Sequence, residues 1–274
     1  MKKIYSIVVL LLSFAVSNAQ VPTLQQLWDS SEALPVPESV LYLPDREELF
    51  VSLIDGQGNV KDGKGGIALL NTDGSVKNAE WVTGLNAPKG MALYKDLLYI
   101  ADITAVVVVD IVTANIIDEI EIEGSVFLND VTVDSEGAVY VSDTRVNKIY
   151  RIKNSKYDVY MDNVASANGL KIIDDNLYVL AGKELWKIDE EKNVAVIAEG
   201  FEQNGDGIEP AGDGDFLVTC WAGIIYYVQA DGTLTKLLDV QGKMNTADLG
   251  YHPGKKIVYI PTFNNNSVVA YQLK

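Results

Sequence analysis

SVFLNDVTVDSEGAVYVSD, Ser125–Asp143, is the stretch from which the fold can be read. Val131, Val133, Val139 and Val141 alternate with other residues, and Asp134-Ser135-Glu136-Gly137 supplies the turn between them, so the segment reads as a β-hairpin. Asn129-Asp130 breaks the pattern: an amide and a carboxylate stand where an apolar strand should begin. Their explanation depends on whether the rest of the chain repeats the phrase.

It does, six times. LFVS at Leu49, LYIAD at Leu98, VYVSD at Val139, LYVL at Leu177, FLVT at Phe216 and VYIP at Val258 recur every 38 to 49 residues. Each follows a first strand and a turn, and a third strand, a polar turn such as Asp73-Gly74 or Asp231-Gly232 and a fourth strand come after it. A period near forty with four short strands per unit is the signature of propeller blades. No segment of useful length carries an apolar stripe at helical spacing. The last unit ends before a fourth strand, and Thr23–Leu34 precedes the first unit without a partner of its own. The spacing therefore predicts an all-β, six-bladed β-propeller over residues 20–274, closed by its N-terminal strand so that no sheet edge is left free.

Residues 1–19 lie outside that domain. MKKIYSIVVLLLSFAVSNAQ has Lys2 and Lys3, an apolar run from Ile7 to Val16 and small residues Ser17 and Ala19, the pattern of a secretory signal peptide and too short to span a bilayer. An exported protein, periplasmic or extracellular, is expected, with no membrane insertion after the signal is removed. Loss of Lys2 and Lys3 moves the net charge from −16 to −18. That acidity excludes nucleic acid and anionic membranes as natural partners and suits cations, neutral small molecules or a basic partner. Cys220 is the only cysteine, which excludes an internal disulfide, and His252 is the only histidine, which excludes most imidazole-rich zinc sites.

The odd pair at Asn129 now has company. Ten to twelve positions before the second residue of each recurring phrase stand Glu38, Lys89, Asn129, Asn168, Asp206 and Asp248, in PESV, PKGM, LNDV, ANGL, GDGI and TADL. The first strand of a propeller blade lines the central channel, so these six heads are expected to converge at one mouth. Three carboxylates and two amides together need compensation. A hard cation supplies it, and an all-oxygen donor set suits calcium best, magnesium or manganese next. A polar channel filled with water is the alternative, and spacing alone does not separate the two.

PESV, LND, ANGL and GDGI, in blades one, three, four and five, resemble the heads of the gluconolactonase and senescence-marker-protein family, whose wider group includes diisopropyl fluorophosphatase and the paraoxonases. The resemblance covers essentially all of residues 20–274. It implies a catalytic divalent metal held by Glu38, Asn129, Asn168 and Asp206, and an ester or lactone substrate. The sugar-lactonase members are similar to one another in an arginine just before the Asn-Asp pair. Here Val126, Phe127 and Leu128 fill that place. Lys89 is a second departure, a cation among the heads that either orients an anionic group or replaces part of the metal's charge.

Other signals lead nowhere. Gly58–Gly65 imitates a phosphate-binding loop but has Gly65 where Ser or Thr is required, and no helix follows. Asp55–Val60 imitates a calcium hand but lacks its glycine and its closing glutamate. Cys220 in FLVTCW reads as a small buried group, and His252 before Pro253-Gly254 as a surface turn residue. Trp81, Trp186, Tyr150 and Tyr226 read as packing between blades, with Trp221 as a candidate wall of the channel mouth.

Two functions fit. In the first, a metal-dependent hydrolase, Glu38, Asn129, Asn168 and Asp206 hold the cation. Asp206 or Asp248 acts as general base, and Lys89 orients an anion or stabilises developing negative charge. The second is a non-catalytic exported propeller that binds a ligand or protein on its channel face. A monomer is expected in either case.

Overall fold

The structure is a computed structural model, and it describes residues 21–30 and 33–274. The signal segment expected at 1–19 falls outside the described residues. The chain begins with β1 (Leu24–Asp29). Blade one is β2 (Pro37–Leu43), β3 (Glu48–Leu53), β4 (Gly65–Asn71) and β5 (Val76–Leu85). Blade two is β6 (Pro88–Tyr94), β7 (Leu97–Asp102), β8 (Ala105–Asp110) and β9 (Asn115–Glu121). Blade three is β10 (Leu128–Val133), β11 (Val139–Asp143), β12 (Lys148–Lys153) and β13 (Lys156–Asp162). Blade four is β14 (Ala167–Ile173), β15 (Asn176–Ala181), β16 (Glu184–Ile188) and β17 (Val194–Glu199). Blade five is β18 (Ile208–Gly212), β19 (Asp215–Cys220), β20 (Ile224–Val228) and β21 (Leu234–Asp239). Blade six holds β22 (Gly250–His252), β23 (Ile257–Pro261) and β24 (Val268–Leu273), and a single 3-10 turn, Phe263–Asn265, precedes its last strand.

Each blade is a four-stranded antiparallel sheet. The sixth has the order β1-β24-β23-β22, so the N-terminal strand supplies the outer strand missing from the C-terminal repeat. Leu24 pairs with Leu273 and Asp29 with Val269. The recurring phrases are the second strands, and they are largely apolar because both their faces are covered: Leu49, Phe50 and Val51 are each fully buried.

The core is divided among the seams. Phe50 and Ile67 of blade one pack with Met91, Ile100 and Val107 of blade two. Leu180 and Leu185 of blade four pack with Ile208, Phe216 and Val218 of blade five. Val40 and Val51 meet Tyr259 and Val268 across the closing seam. Burial of each such aliphatic side chain stabilises by about 1.5–3 kcal/mol relative to exposure, so the seams dominate the stability of the ring. The aromatics sort accordingly. Tyr178 of blade four meets Phe216 of blade five at 4.9 Å, whereas Trp81 stacks at 4.3 Å on Phe50 of its own blade. No helix among the described residues is long and apolar enough to cross a membrane.

His252 departs from the expectation of a surface turn residue. Only 7% of it is exposed. Its ring stacks at 4.4 Å on Tyr42 of blade one, and Nε2 lies 3.5 Å from Glu47 Oε1 without hydrogen-bond geometry. The Pro253-Gly254 turn is exposed, but the neighbouring blade covers the residue before it.

Trp28 fastens the closing strand. Its ring meets Tyr259 at 5.8 Å and its Nε1 donates to Thr72 O in blade one at 3.1 Å. Trp28→Ala removes the aromatic contact and the cross-seam hydrogen bond together. It is expected to lower stability by about 2–3 kcal/mol, seen as a drop in urea midpoint with an unchanged slope.

Candidate functional site

The entrance to each inner strand is irregular. In blades one to four the register slips by one residue at the head: between Pro37 and Ser39, Pro88 and Met91, Leu128 and Val131, and Ala167 and Leu170. Such a bulge opposes two residues to one and re-aims a side chain. It accounts for Asn129-Asp130, both buried although they are neighbours in a strand, with 7% and 6% exposure. In blades one, three and five a backbone N–H at the head is taken up by a hydroxyl of the second strand. Ser52 Oγ accepts from Ser39 N, Ser142 Oγ from Asp130 N and Thr219 Oγ1 from Gly207 N, at 2.9 to 3.0 Å. In blades two, four and five the second residue of the pair is glycine. A Cβ on Gly90 would strike Asp130, one on Gly169 the carbonyl of Asp206, and one on Gly207 the carboxylate of Asp248.

Two aspartates that end second strands hold the loops leading into the heads. Asp102 accepts from the backbone N–H groups of Asn86 and Ala87 at 2.8 and 2.7 Å, which fixes the approach to Lys89. Asp143 accepts from Val126, Phe127, Arg145 and Val146, which ties the loop before Asn129 to the loop after β11.

With that scaffold in place, Glu38 is 5% exposed, Lys89 1% and Asp206 4%. Asn168 Nδ2 donates to Asp206 Oδ1 at 2.6 Å, and Asn129 Nδ2 donates to Thr144 Oγ1 at 2.9 Å. Each amide thereby commits its nitrogen and leaves its oxygen as an acceptor. Glu38 Oε2 and Asp206 Oδ2 are fully buried with no hydrogen-bond partner. Two orphaned carboxylate oxygens and two amide oxygens suit a hard divalent cation. Among the described residues no three His, Cys, Asp or Glu side chains stand at metal-binding spacing, so the amides are indispensable to such a site.

Asp248 sits lower. Its Oδ2 accepts from Ser39 Oγ at 2.5 Å, its backbone pairs with Glu38 and Val40, and its carboxylate lines a cavity of about 320 Å³ with Asp130, Tyr42, Lys171 and Glu209. That cavity extends to Leu43 and Pro44 at the hairpin-turn end of the channel. Asp130, which the spacing argument passed over, staples blades three and four, since its Oδ2 accepts from Leu170 N at 2.6 Å. Lys89 Nζ donates to Ala87 O at 2.8 Å and lies 4.5 Å from the centre of the Phe127 ring; no carboxylate stands within ion-pair distance among the described residues. Trp221 is exposed and packs edge-on against Phe263 at 5.4 Å.

Burial controls the charges. It lifts Glu38 well above the usual carboxylate range, Asp206 adds to the rise, and Lys89 opposes it. Burial, then the charge of Asp248, raises Asp206 to about 7. Asp130 is likewise raised by burial to about 7, against the hydrogen bonds it accepts. Asp248 is pushed well up by burial and then by Asp130. Burial lowers Lys89 to about 8, and Glu38 and Asp102 limit the fall.

No family model matches the chain, and no curated protein matches it. Solved structures do. A gluconolactonase from Xanthomonas campestris superimposes with a TM-score of 0.70 at 15% identity, over 96% of this chain and 94% of that one. A streptogramin B lyase gives 0.68 at 13% identity, over 92% and 98%. A catalytically inactive histidine-to-alanine variant of virginiamycin B lyase from Staphylococcus aureus, solved with quinupristin, gives 0.63 at 14%, over 92% and 100%. At these identities the likeness defines the class by its fold: a six-bladed β-propeller.

The raised carboxyls have a consequence in metal-free protein. A folded pKa above the unfolded value near 4 means that the folded state holds a proton the unfolded chain has released. That stabilisation is present below about pH 4 and is lost as pH rises through about 7. Lys89, lowered to about 8, titrates at the upper edge of this window, where its contribution has the opposite sign. EDTA-treated protein is therefore expected to lose on the order of 3 kcal/mol between pH 5 and pH 8, and Asp206→Asn should flatten the melting-temperature profile.

Proposed function

We propose that this protein is an exported, divalent-cation-dependent hydrolase that opens a small ester or lactone in its central channel. The observation that carries the reading is the pair of buried, unpartnered carboxylate oxygens, Glu38 Oε2 and Asp206 Oδ2. An unpaired buried carboxylate is costly, and a cation between the two offsets that cost. Glu38, Asp206, Asn129 and Asn168 would hold the ion, with calcium the best match to the donors. When bound, it supplies Lewis-acid polarisation of the carbonyl oxygen.

The remaining roles belong to the chain. Asn168 anchors Asp206 Oδ1 and so orients the carboxylate with Oδ2 toward the cation, and Asp206 or Asp248 is the candidate to take a proton from the attacking water. Asp248, held by Ser39, adds negative charge near Asp206 and so acts through it. Lys89 keeps a buried positive charge beside Glu38 that stabilises negative charge developing on the substrate. Lyase chemistry that depends on one histidine finds no counterpart, because His252 lies at the turn between β22 and β23, locked against Tyr42.

The rival is a propeller that binds without catalysis. The burial of Lys89 favours it, since an internal cation meets part of the demand for positive charge. Lactone and aryl-ester assays separate the two. Activity is expected to vanish with EDTA, to return with calcium, and to fall at least about 100-fold in Glu38→Gln. Calcium is also expected to raise the melting temperature of wild type and not of Glu38→Gln. Turnover indifferent to chelation, or variants that melt alike with and without calcium, would rule the metal centre out.

A further inference from the structure

Besides Lys89, a second cation near the heads has no charged partner. Arg145 follows Thr144, the residue that anchors Asn129, on the loop after β11. Among the described residues its guanidinium makes neither a hydrogen bond nor an ion pair, whereas Arg151 pairs with Asp158 at 3.1 Å. What holds it is Phe127, whose ring centre lies 4.3 Å from the guanidinium carbon. Buried Lys89 lies over the same ring at 4.5 Å.

The ring is itself fixed. Asp143 accepts from the backbone of Phe127 and of Arg145, so one buried carboxylate sets both loops. A guanidinium held over an aromatic ring without a hydrogen-bond partner keeps its N–H groups available, in the fork geometry that matches a carboxylate bidentately. Phe127 occupies the stretch in which the sequence lacks an arginine before Asn129. The loop after β11 brings a positive fork to the Phe127 ring instead.

We infer that Arg145, stacked on Phe127 beside Lys89, captures a carboxylate carried by the substrate at a distance from the scissile bond. The inference rests on the hydrolase reading for the word substrate, and it narrows the class to esters or lactones bearing an anionic tail. Lys89 adds a second positive charge at the same ring and uses one of its three N–H donors on Ala87 O.

Two measurements test it and keep the two readings apart. Calorimetric binding of adipate to EDTA-treated protein needs neither cation nor turnover. Wild type is expected to bind, and Arg145→Ala to bind about 10- to 100-fold more weakly, the scale of a charge-assisted contact. Arg145→Lys should recover only part of that, because it lacks the fork. Equal binding by wild type and Arg145→Ala, or no binding by wild type, overturns the inference. The second measurement is the ratio of kcat/KM for monophenyl adipate over phenyl hexanoate, which should collapse toward unity in Arg145→Ala. An unchanged ratio with calcium-dependent turnover of both esters refutes the anion site and leaves the hydrolase standing. Arginine-dependent adipate binding without turnover of either ester does the reverse. Arg145 is exposed, so its variants are expected to fold, and thermal melts verify this.

Discussion

Near the axis of the ring, inner strands insert two residues where the partner strand has one, and the blades on either side compete for the same space. This crowding dictates the site. Where a carboxylate presses across a seam, as Asp130 does on blade two and Asp248 on blade five, only glycine fits opposite: Gly90 and Gly207. In blades one, three and five a hydroxyl from the second strand takes up an amide N–H at the head. Polar side chains can then be buried at the axis at all, because the backbone around them is already satisfied.

The same crowding sets the electrostatics. Glu38, Asp130, Asp206 and Asp248 are close enough to raise one another after burial has raised each of them. Hydrogen bonds relieve Asp130 and half of Asp206, and Lys89 offsets part of Glu38. Two oxygens are left over. A ring that was only a scaffold could fill those positions with uncharged side chains, so the two oxygens mark the axis as the candidate site.

The architecture was legible because propeller blades are local: a period, a turn and an alternation are properties of neighbouring residues. The closing strand could be inferred from a missing partner. The heads could be placed by counting from LYIAD and VYVSD. What the counting lacked was the bulge, since register is set by a strand partner and not by the strand itself, and so Asp130 was passed over. The final aspartates of LYIAD and VYVSD and the hydroxyls of Ser52, Ser142 and Thr219 were visible and recurrent, and marked the loop fasteners and bulge caps. Arg145 left no such mark. Its meaning comes from the absence of a partner, which only a folded molecule displays. His252 was misread for a related reason: a turn exposed on its own blade can be roofed by the next.

The pairing of β1 with β24 joins the two ends of the described chain. Contacts of such sequence separation are slow to form, because the entropy of closing the loop must be met before any contact is gained. Five blades can assemble as they are synthesised, but the sixth waits for the last strand to meet the first. Until then the outer edge of β24 is open to pairing with another chain. The vulnerable species is thus a nearly complete ring with one gap, and a chaperone that shields that single edge would govern yield more than any feature of the channel.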